Sequence, residues 1–182
     1  MNVTKGPLEG ILIIQPTFFN DDRGLFFEAY HSEKLKSYGL PEKFVQDNVS
    51  VSKKGVLRGL HFQNPPHSQG KLVSVPKGSV LDVAVDIRKN SPTYGQHFSM
   101  ELSDQNHTIL YIAPGFAHGF LTLEDNTQFV YKCSNFYNKE SEDAILWSDP
   151  DLNIKWGIEN PIISTKDNQA QYFKTFVSQF RK

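Results

Sequence analysis

The chain is predicted to fold as an all-β sandwich or barrel, and three observations point that way. From Phe44 to about Trp147, short β-rich runs alternate with clusters of turn residues at roughly 8–12-residue spacing. Runs such as 80–86 and 127–132 alternate in part with the period of two that a half-buried strand requires. Phe is frequent, at 14 of 182 residues, which suits a sandwich core or a stacking site.

In order along the chain, residues 8–15 form a strand that Pro16 ends, and residues 20–24 form a turn. Residues 25–30 follow as a second strand. Ser32 caps a short helix through Tyr38, which Gly39 and Pro41 stop. The β-rich stretch is then divided at 53–55, 64–66, 76–78, 90–92, 103–106, 114–115 and 124–126, each a cluster of polar residues, Gly or Pro. Near the end, Ala170, Phe173, Phe176, Val177 and Phe180 recur at helical spacing, with Ser164 as cap and Asp167 in the first turn. The expectation is one domain over 1–182, with a β core over about 8–163 and a C-terminal helix over 164–182.

At 182 residues the chain can bury a core without disulfides or metal. A hydrophobic content of 38% against 21% charged is globular. A net charge of −1 gives no basic field for nucleic acid or an anionic membrane, so an anionic ligand would be held by a few local Arg or Lys. The single Cys133 cannot pair internally and fits a reducing compartment. With no charged-then-apolar leader and no bilayer-length apolar run, a cytoplasmic location is expected.

The run from Gly55 to Gln63 carries the first chemical signal. In a flat strand Gly59, His61 and Gln63 face one side, and Leu60 and Phe62 the other. A base-capable imidazole thus sits beside a glycine that lets another group approach. Arg58 falls on the Leu60 side, so a twist or bulge at Gly59 is required to bring it to the same site as His61. Lys71 starts the next strand, where a hairpin-like return puts an ammonium near the imidazole. His118 enters a strand from a Pro/Gly-rich turn, and Tyr131 shares its strand with Phe129. Each of these has an ordinary structural explanation alone. His61, His67 and His118 lack metal-ligand spacing, since Gln63 stands second after His61 and Lys71 brings a cation. There is no Gly-x-Gly-x-x-Gly, P-loop or Gly-x-Ser-x-Gly. A base, an acid and cations without metal or nucleophile suit proton abstraction beside a carbonyl.

Taken together, residues 56–63, 69–73, 82–86 and 114–120 closely resemble the dTDP-4-dehydrorhamnose 3,5-epimerases, and the resemblance spans about 8–167. It implies a cupin-type jelly roll, a homodimer with its N-terminal strands at the interface, and no metal or cofactor. The implied reaction inverts C3 and C5 of dTDP-4-dehydro-6-deoxy-D-glucose on the route to dTDP-L-rhamnose, a precursor of cell-surface polysaccharide. By motif, the resemblance makes His61 the base, Asp167 its orienting carboxylate and Tyr131 the acid on the opposite sugar face. It gives Lys71 the C4 enolate oxygen, His118 a place in the sugar pocket and Arg58 the diphosphate. Gln46, Asp47 and Asn48 line the nucleotide site, Tyr137 stacks on thymine, and Glu142 and Lys166 make further ligand contacts. Arg23 and Glu28 reach the neighbouring subunit's site. The competing readings are an epimerase of C3 or C5 only on a related nucleotide 4-ketosugar, a ketoisomerase of the same fold, a metal-dependent cupin oxygenase, and a non-catalytic sugar-nucleotide-binding module.

Overall fold

The computed structural model describes residues 1–181. The strands begin with β1 (Asn2–Lys5), β2 (Ile11–Gln15), β3 (Phe18–Asp21) and β4 (Gly24–Phe27), followed by helix α1 (Ser32–Lys36). Then come β5 (Gln46–Ser52), β6 (Leu57–Gln63), β7 (Lys71–Lys77), β8 (Ser79–Asp86) and β9 (His97–Ser103). The last are β10 (Ile109–Ile112), β11 (Phe116–Thr122), β12 (Thr127–Cys133) and β13 (Glu142–Ala144), before α2 (Thr165–Asn168) and a 3₁₀ turn (Phe173–Thr175). One sheet has the order β1-β2-β10-β7-β12-β5 and a second the order β13-β6-β11-β8-β9, while β3 and β4 form a separate hairpin. All these pairings are antiparallel.

Strand alternation sorts the side chains into three apolar layers. Val73 and Val75 of β7, Val80 and Ala84 of β8, Phe116 and Phe120 of β11 and Phe129 of β12 meet between the sheets. Their odd-parity neighbours on the second sheet, Val83, Val85, Ala117 and Leu121, turn outward. There they pack with Leu60, Phe62, Trp156, Phe176 and Phe180. On the outside of the first sheet, Leu12, Ile14 and Leu72 lie under Leu35 of α1 and Leu40. The expected sandwich is therefore present. Among the described residues no helix is long and apolar enough to cross a membrane.

Four local expectations need correction. The strand expected over 25–30 is β4, which ends at Phe27. The strand expected over 8–15 starts at Ile11, because the chain turns at Gly10, whose φ is 105°, and Ile11 N donates to Leu8 O. Ser32 is the first residue of α1 rather than its cap; His31 holds the cap position without a side-chain bond, and the helix ends at Lys36. The helix expected over 164–182 is not formed. Among the described residues only α2 and the 3₁₀ turn are helical there, and Phe176 is extended at φ −68°, ψ 131°. The segment's backbone bonds go to the sandwich instead. Gln171 O accepts from Leu146 N, Phe180 O accepts from Lys89 N, and Phe173 N donates to Asp149 Oδ2 at 2.7 Å. The aromatic spacing arises because Phe176 and Phe180 both meet the Phe62 ring edge-on.

Candidate active site

Toward one end of the sandwich interior, polar residues replace the apolar layer at the same inward-facing positions. Lys71 precedes Val73 on β7, Asp82 lies between Val80 and Ala84 on β8, and His118 lies between Phe116 and Phe120 on β11. Tyr131 follows Phe129 on β12. The result is a cleft of two confluent lobes, about 350 Å³ and 280 Å³, that share Asn48, His61, Lys71 and Tyr131. The larger lobe adds Gln46, Gln63, Gln69, Tyr137 and Glu142. The smaller adds Arg58, Ser50, His118 and Phe129.

A bulge on β6 brings Arg58 and His61 to the same side. His61 pairs with His118 and Arg58 with Phe120, so β6 uses three steps where β11 uses two. Leu57 and Leu60 then both reach the outer layer, and Arg58 and His61 both line the cleft. Gly59 makes this possible at φ 128°, with the Gly59–Leu60 peptide cis. The group that approaches it closely is the backbone of Gly119. Arg58 reaches Ser52 Oγ at 3.4 Å through Nε and Nη2.

His61 Nε2–H donates to Asp167 Oδ1 at 2.8 Å, which leaves Nδ1 with its lone pair free for a proton. Asp167 Oδ2 accepts from Gly59 N at 3.1 Å, and Asp167 N donates to the capping Ser164 Oγ at 3.0 Å. Asp167 thus sits in the first turn of α2 and hydrogen-bonds the imidazole from there. Burial works to raise its pKa, but the bonds from His61 and Gly59 N outweigh that and hold it low.

Across the cleft, burial raises the pKa of the Tyr131 phenol, so it stays protonated. Lys71 lies 5.9 Å from the Tyr131 ring centroid. Desolvation lowers the pKa of its ammonium, opposed by the carboxylates of Asp82 and Glu142. His118 Nε2–H donates to Asp82 Oδ2 at 2.8 Å, and desolvation favours its neutral form.

At the mouth, Tyr137 Oη and Lys166 Nζ both donate to Glu142 Oε2, at 3.0 and 2.5 Å. Tyr137 N donates to Gln46 Oε1, and Gln46 Nε2 to Asn48 Oδ1. Asp47 does not line the cleft. Period-two alternation on β5 turns it to the opposite face, where it pairs with Lys132 at 2.9 Å. Arg23 and Glu28 do not line this chain's cleft either. Arg23 pairs with Asp21 on the β3–β4 hairpin, and Glu28 with Lys34 at 2.8 Å. Asp82, Gln63, Gln69 and Ser50 belong to the cleft or its support but carry no sequence-based assignment. For Asp82 a signal exists: it is the one charge inside the apolar run 80–85. Among the described residues no three His, Cys, Asp or Glu side chains gather as metal ligands would.

Two antiparallel sheets with an imidazole, a phenol and an ammonium gathered in a cleft between them define an acid–base enzyme on a cupin-type β-sandwich. The family model described as dTDP-4-dehydrorhamnose 3,5-epimerase matches residues 5–175. The chain belongs to the dTDP-4-dehydrorhamnose 3,5-epimerase family. It is 50% identical to the dTDP-4-dehydrorhamnose 3,5-epimerase of Shigella flexneri, over 95% of this chain and 96% of that one. Among solved structures it is similar to the enzyme of the same name from Elizabethkingia anophelis, at a TM-score of 0.92 and 50% identity, covering 96% and 97% of the two chains. The epimerase of Legionella pneumophila, solved in complex with dTDP-4-keto-L-rhamnose, matches at a TM-score of 0.92 and 43% identity, covering 97% and 94%. The activity is that of a dTDP-4-dehydrorhamnose 3,5-epimerase in dTDP-L-rhamnose biosynthesis.

Proposed function

We propose that His61 is the base that removes the protons at C3 and C5, that Tyr131 is the acid, and that Lys71 stabilises the C4 enolate oxygen. The observation that carries this assignment is the placement of His61 and Tyr131 on different sheets of the sandwich, β6 and β12. A sugar ring held between the sheets has the imidazole on one face and the phenol on the other. Both carbons flank the same ketone, so one base acidifies nothing itself and only has to reach each C–H in turn. Loss of the proton to His61 Nδ1 gives an enolate beside Lys71, and return from Tyr131 on the far face inverts the centre.

The Asp167 carboxylate fixes the tautomer of His61 and stabilises the imidazolium once formed. Arg58 offers its planar fork to the diphosphate, and His118 lines the sugar pocket. Tyr137 stacks on thymine at the mouth, with Gln46, Asn48, Glu142 and Lys166 as the remaining ligand contacts. The nucleotide then supplies binding remote from the reacting carbons. The working unit is a homodimer whose β3–β4 hairpin carries Arg23 and Glu28 to the partner's cleft. The buried free thiol of Cys133 suits a reducing compartment, and we place the reaction in the cytoplasm.

The test is NMR of the ketosugar with enzyme in deuterated water. Wild type incorporates deuterium at C3 and C5, and His61→Asn loses both exchanges. Exchange persisting in that variant would remove His61 from the role of base. Tyr131→Phe lowers kcat while KM stays within about threefold; a rise in KM alone would remove Tyr131 from the role of acid.

A further inference from the structure

We propose that Asp82 is a positioning residue for the epimerisation: it fixes the tautomer of His118 and supplies the counter-charge that keeps Lys71 an ammonium.

Asp82 is 1% exposed, and it sits where an apolar side chain would complete the layer formed by Val80 and Ala84. Replacing such a carboxylate by an apolar residue would spare its desolvation, so a charge kept there needs a use. One oxygen, Oδ2, accepts from His118 Nε2–H at 2.8 Å, with both side chains buried. The other, Oδ1, is buried and has no hydrogen-bond partner among the described residues. An ionised carboxylate accepts only, so the proton in the pair sits on His118 Nε2. His118 Nδ1 therefore presents a lone pair. It has no protein partner among the described residues, and the ring lines the cleft beside His61, Lys71 and Arg58. In that tautomer it accepts a hydrogen bond from a sugar hydroxyl and leaves the C4 oxygen to Lys71.

The charge matters as much as the bond. Lys71 makes no ion pair within 4 Å among the described residues, and desolvation works against its charged form. Around it and His118 stand Asp82 on β8, His61 and Arg58 on β6, Tyr131 and Cys133 on β12 and Glu142 on β13. Of these, Asp82 and Glu142 are the carboxylates. Glu142 is already shared between Tyr137 and Lys166 at the mouth, whereas Asp82 has an oxygen unspent. The same carboxylate thus sets the hydrogen-bonding sense of His118 and the charge of Lys71, without touching substrate.

The inference rests on Lys71 being the enolate cation, and the experiment separates the two. Asp82→Asn keeps the side chain's size. It is expected to lower kcat roughly tenfold to a hundredfold, the scale on which outer-shell partners act, with KM for the ketosugar within about threefold. Loss of the negative charge lowers the pKa of Lys71, so the alkaline limb of the kcat–pH profile moves to lower pH. Burial moves the Tyr131 phenol the other way, to higher pH. In the Lys71→Met background that limb and its shift both vanish. An Asp82→Asn enzyme with an unshifted alkaline limb overturns the role of Asp82. A Lys71→Met enzyme at full rate overturns the enolate reading on which it rests. Ring ¹⁵N NMR of His118 in the wild-type enzyme gives a check that needs no variant. Protonation at Nε2 with a bare Nδ1 is expected, and the reverse tautomer overturns the positioning role.

Discussion

At Gly59 a side chain has no room: a Cβ there would fall 2.5 Å from Gly119 Cα and 2.8 Å from His118 O. The converse holds at Gly119, where a Cβ would meet Arg58 O at 2.7 Å. The two glycines let β6 and β11 touch backbone to backbone, and that contact sits at the bulge that turns Arg58 into the cleft. Gly157 makes a useful control, since its φ of 74° is also left-handed but nothing lies within 4 Å of a Cβ there. Gly157→Ala should cost roughly 1–2 kcal/mol from backbone strain alone. Gly59→Ala adds the backbone overlap, for a total of about 3 kcal/mol or more, and it should lower kcat by misplacing His61 and Arg58. Urea unfolding of the two variants measures the difference. Equal losses would mean that the close approach does not hold the bulge. The need for a bulge was legible in the sequence, because Arg58 and His61 have opposite parity in a flat strand. Its partner was not legible, because Gly119 lies 60 residues away and only the fold brings it across.

Strands of five or more residues were the most readable elements, since alternation over that length distinguishes an inward from an outward face, and the four-residue β4 was read past its end at Phe27. β1, β3 and β13 have three or four residues each, too few for a period to declare itself. The C-terminal segment failed for a different reason. Spacing of three and four also arises when a 3₁₀ turn and an extended run lay successive aromatics on one surface. The backbone accounting, with Asp149 holding Phe173 N and Phe180 O taken by Lys89, is tertiary information. The Asp167–His61 bond shows the same limit, since α2 meets β6 across 106 residues. β8 ends in a carboxylate hub that makes an element-level prediction. Asp86 accepts from Arg88, Ser91 and Thr93, and together these outweigh its burial and lower its pKa from 3.8 to about 2. A depressed carboxylate contributes stability that is complete above its unfolded value and is lost as pH falls through the folded one. Between pH 3.8 and 2, the wild type should therefore lose about 2 kcal/mol that an Asp86→Asn variant, already destabilised at pH 7, does not lose. Parallel stability–pH curves for the two proteins would remove Asp86 from that role.

The molecule as a whole carries apolar surface that one chain does not cover. On the β3–β4 hairpin Phe19 is 60% and Phe26 68% exposed, and on the edge strand β5 Val49 and Val51 point outward at 65% and 61%. An edge strand with unpaired backbone groups and exposed valines favours pairing with another copy. The hairpin also carries Arg23, exposed and, among the described residues, paired within its own turn to Asp21. Its guanidinium is thus available to an anion that this chain's own cleft does not bring to it. If the hairpin serves a partner's cleft, as proposed, two defective chains can repair one another. Arg23→Ala leaves a chain with an intact His61 but an incomplete contact to its partner's ligand. His61→Asn leaves the reverse. In a mixed dimer the Arg23→Ala chain's own cleft keeps His61 and receives an intact Arg23 from the His61→Asn chain, while the other cleft lacks both. Refolding equal amounts together should therefore restore roughly a quarter of all sites to full kcat/KM, from two preparations that are each impaired. Ultracentrifugation establishes that mixed dimers have formed. If they form and no activity returns, Arg23 acts on its own chain or not at all. If the protein sediments as a monomer at the assay concentration, the exposed hairpin and the valines of β5 need a different partner.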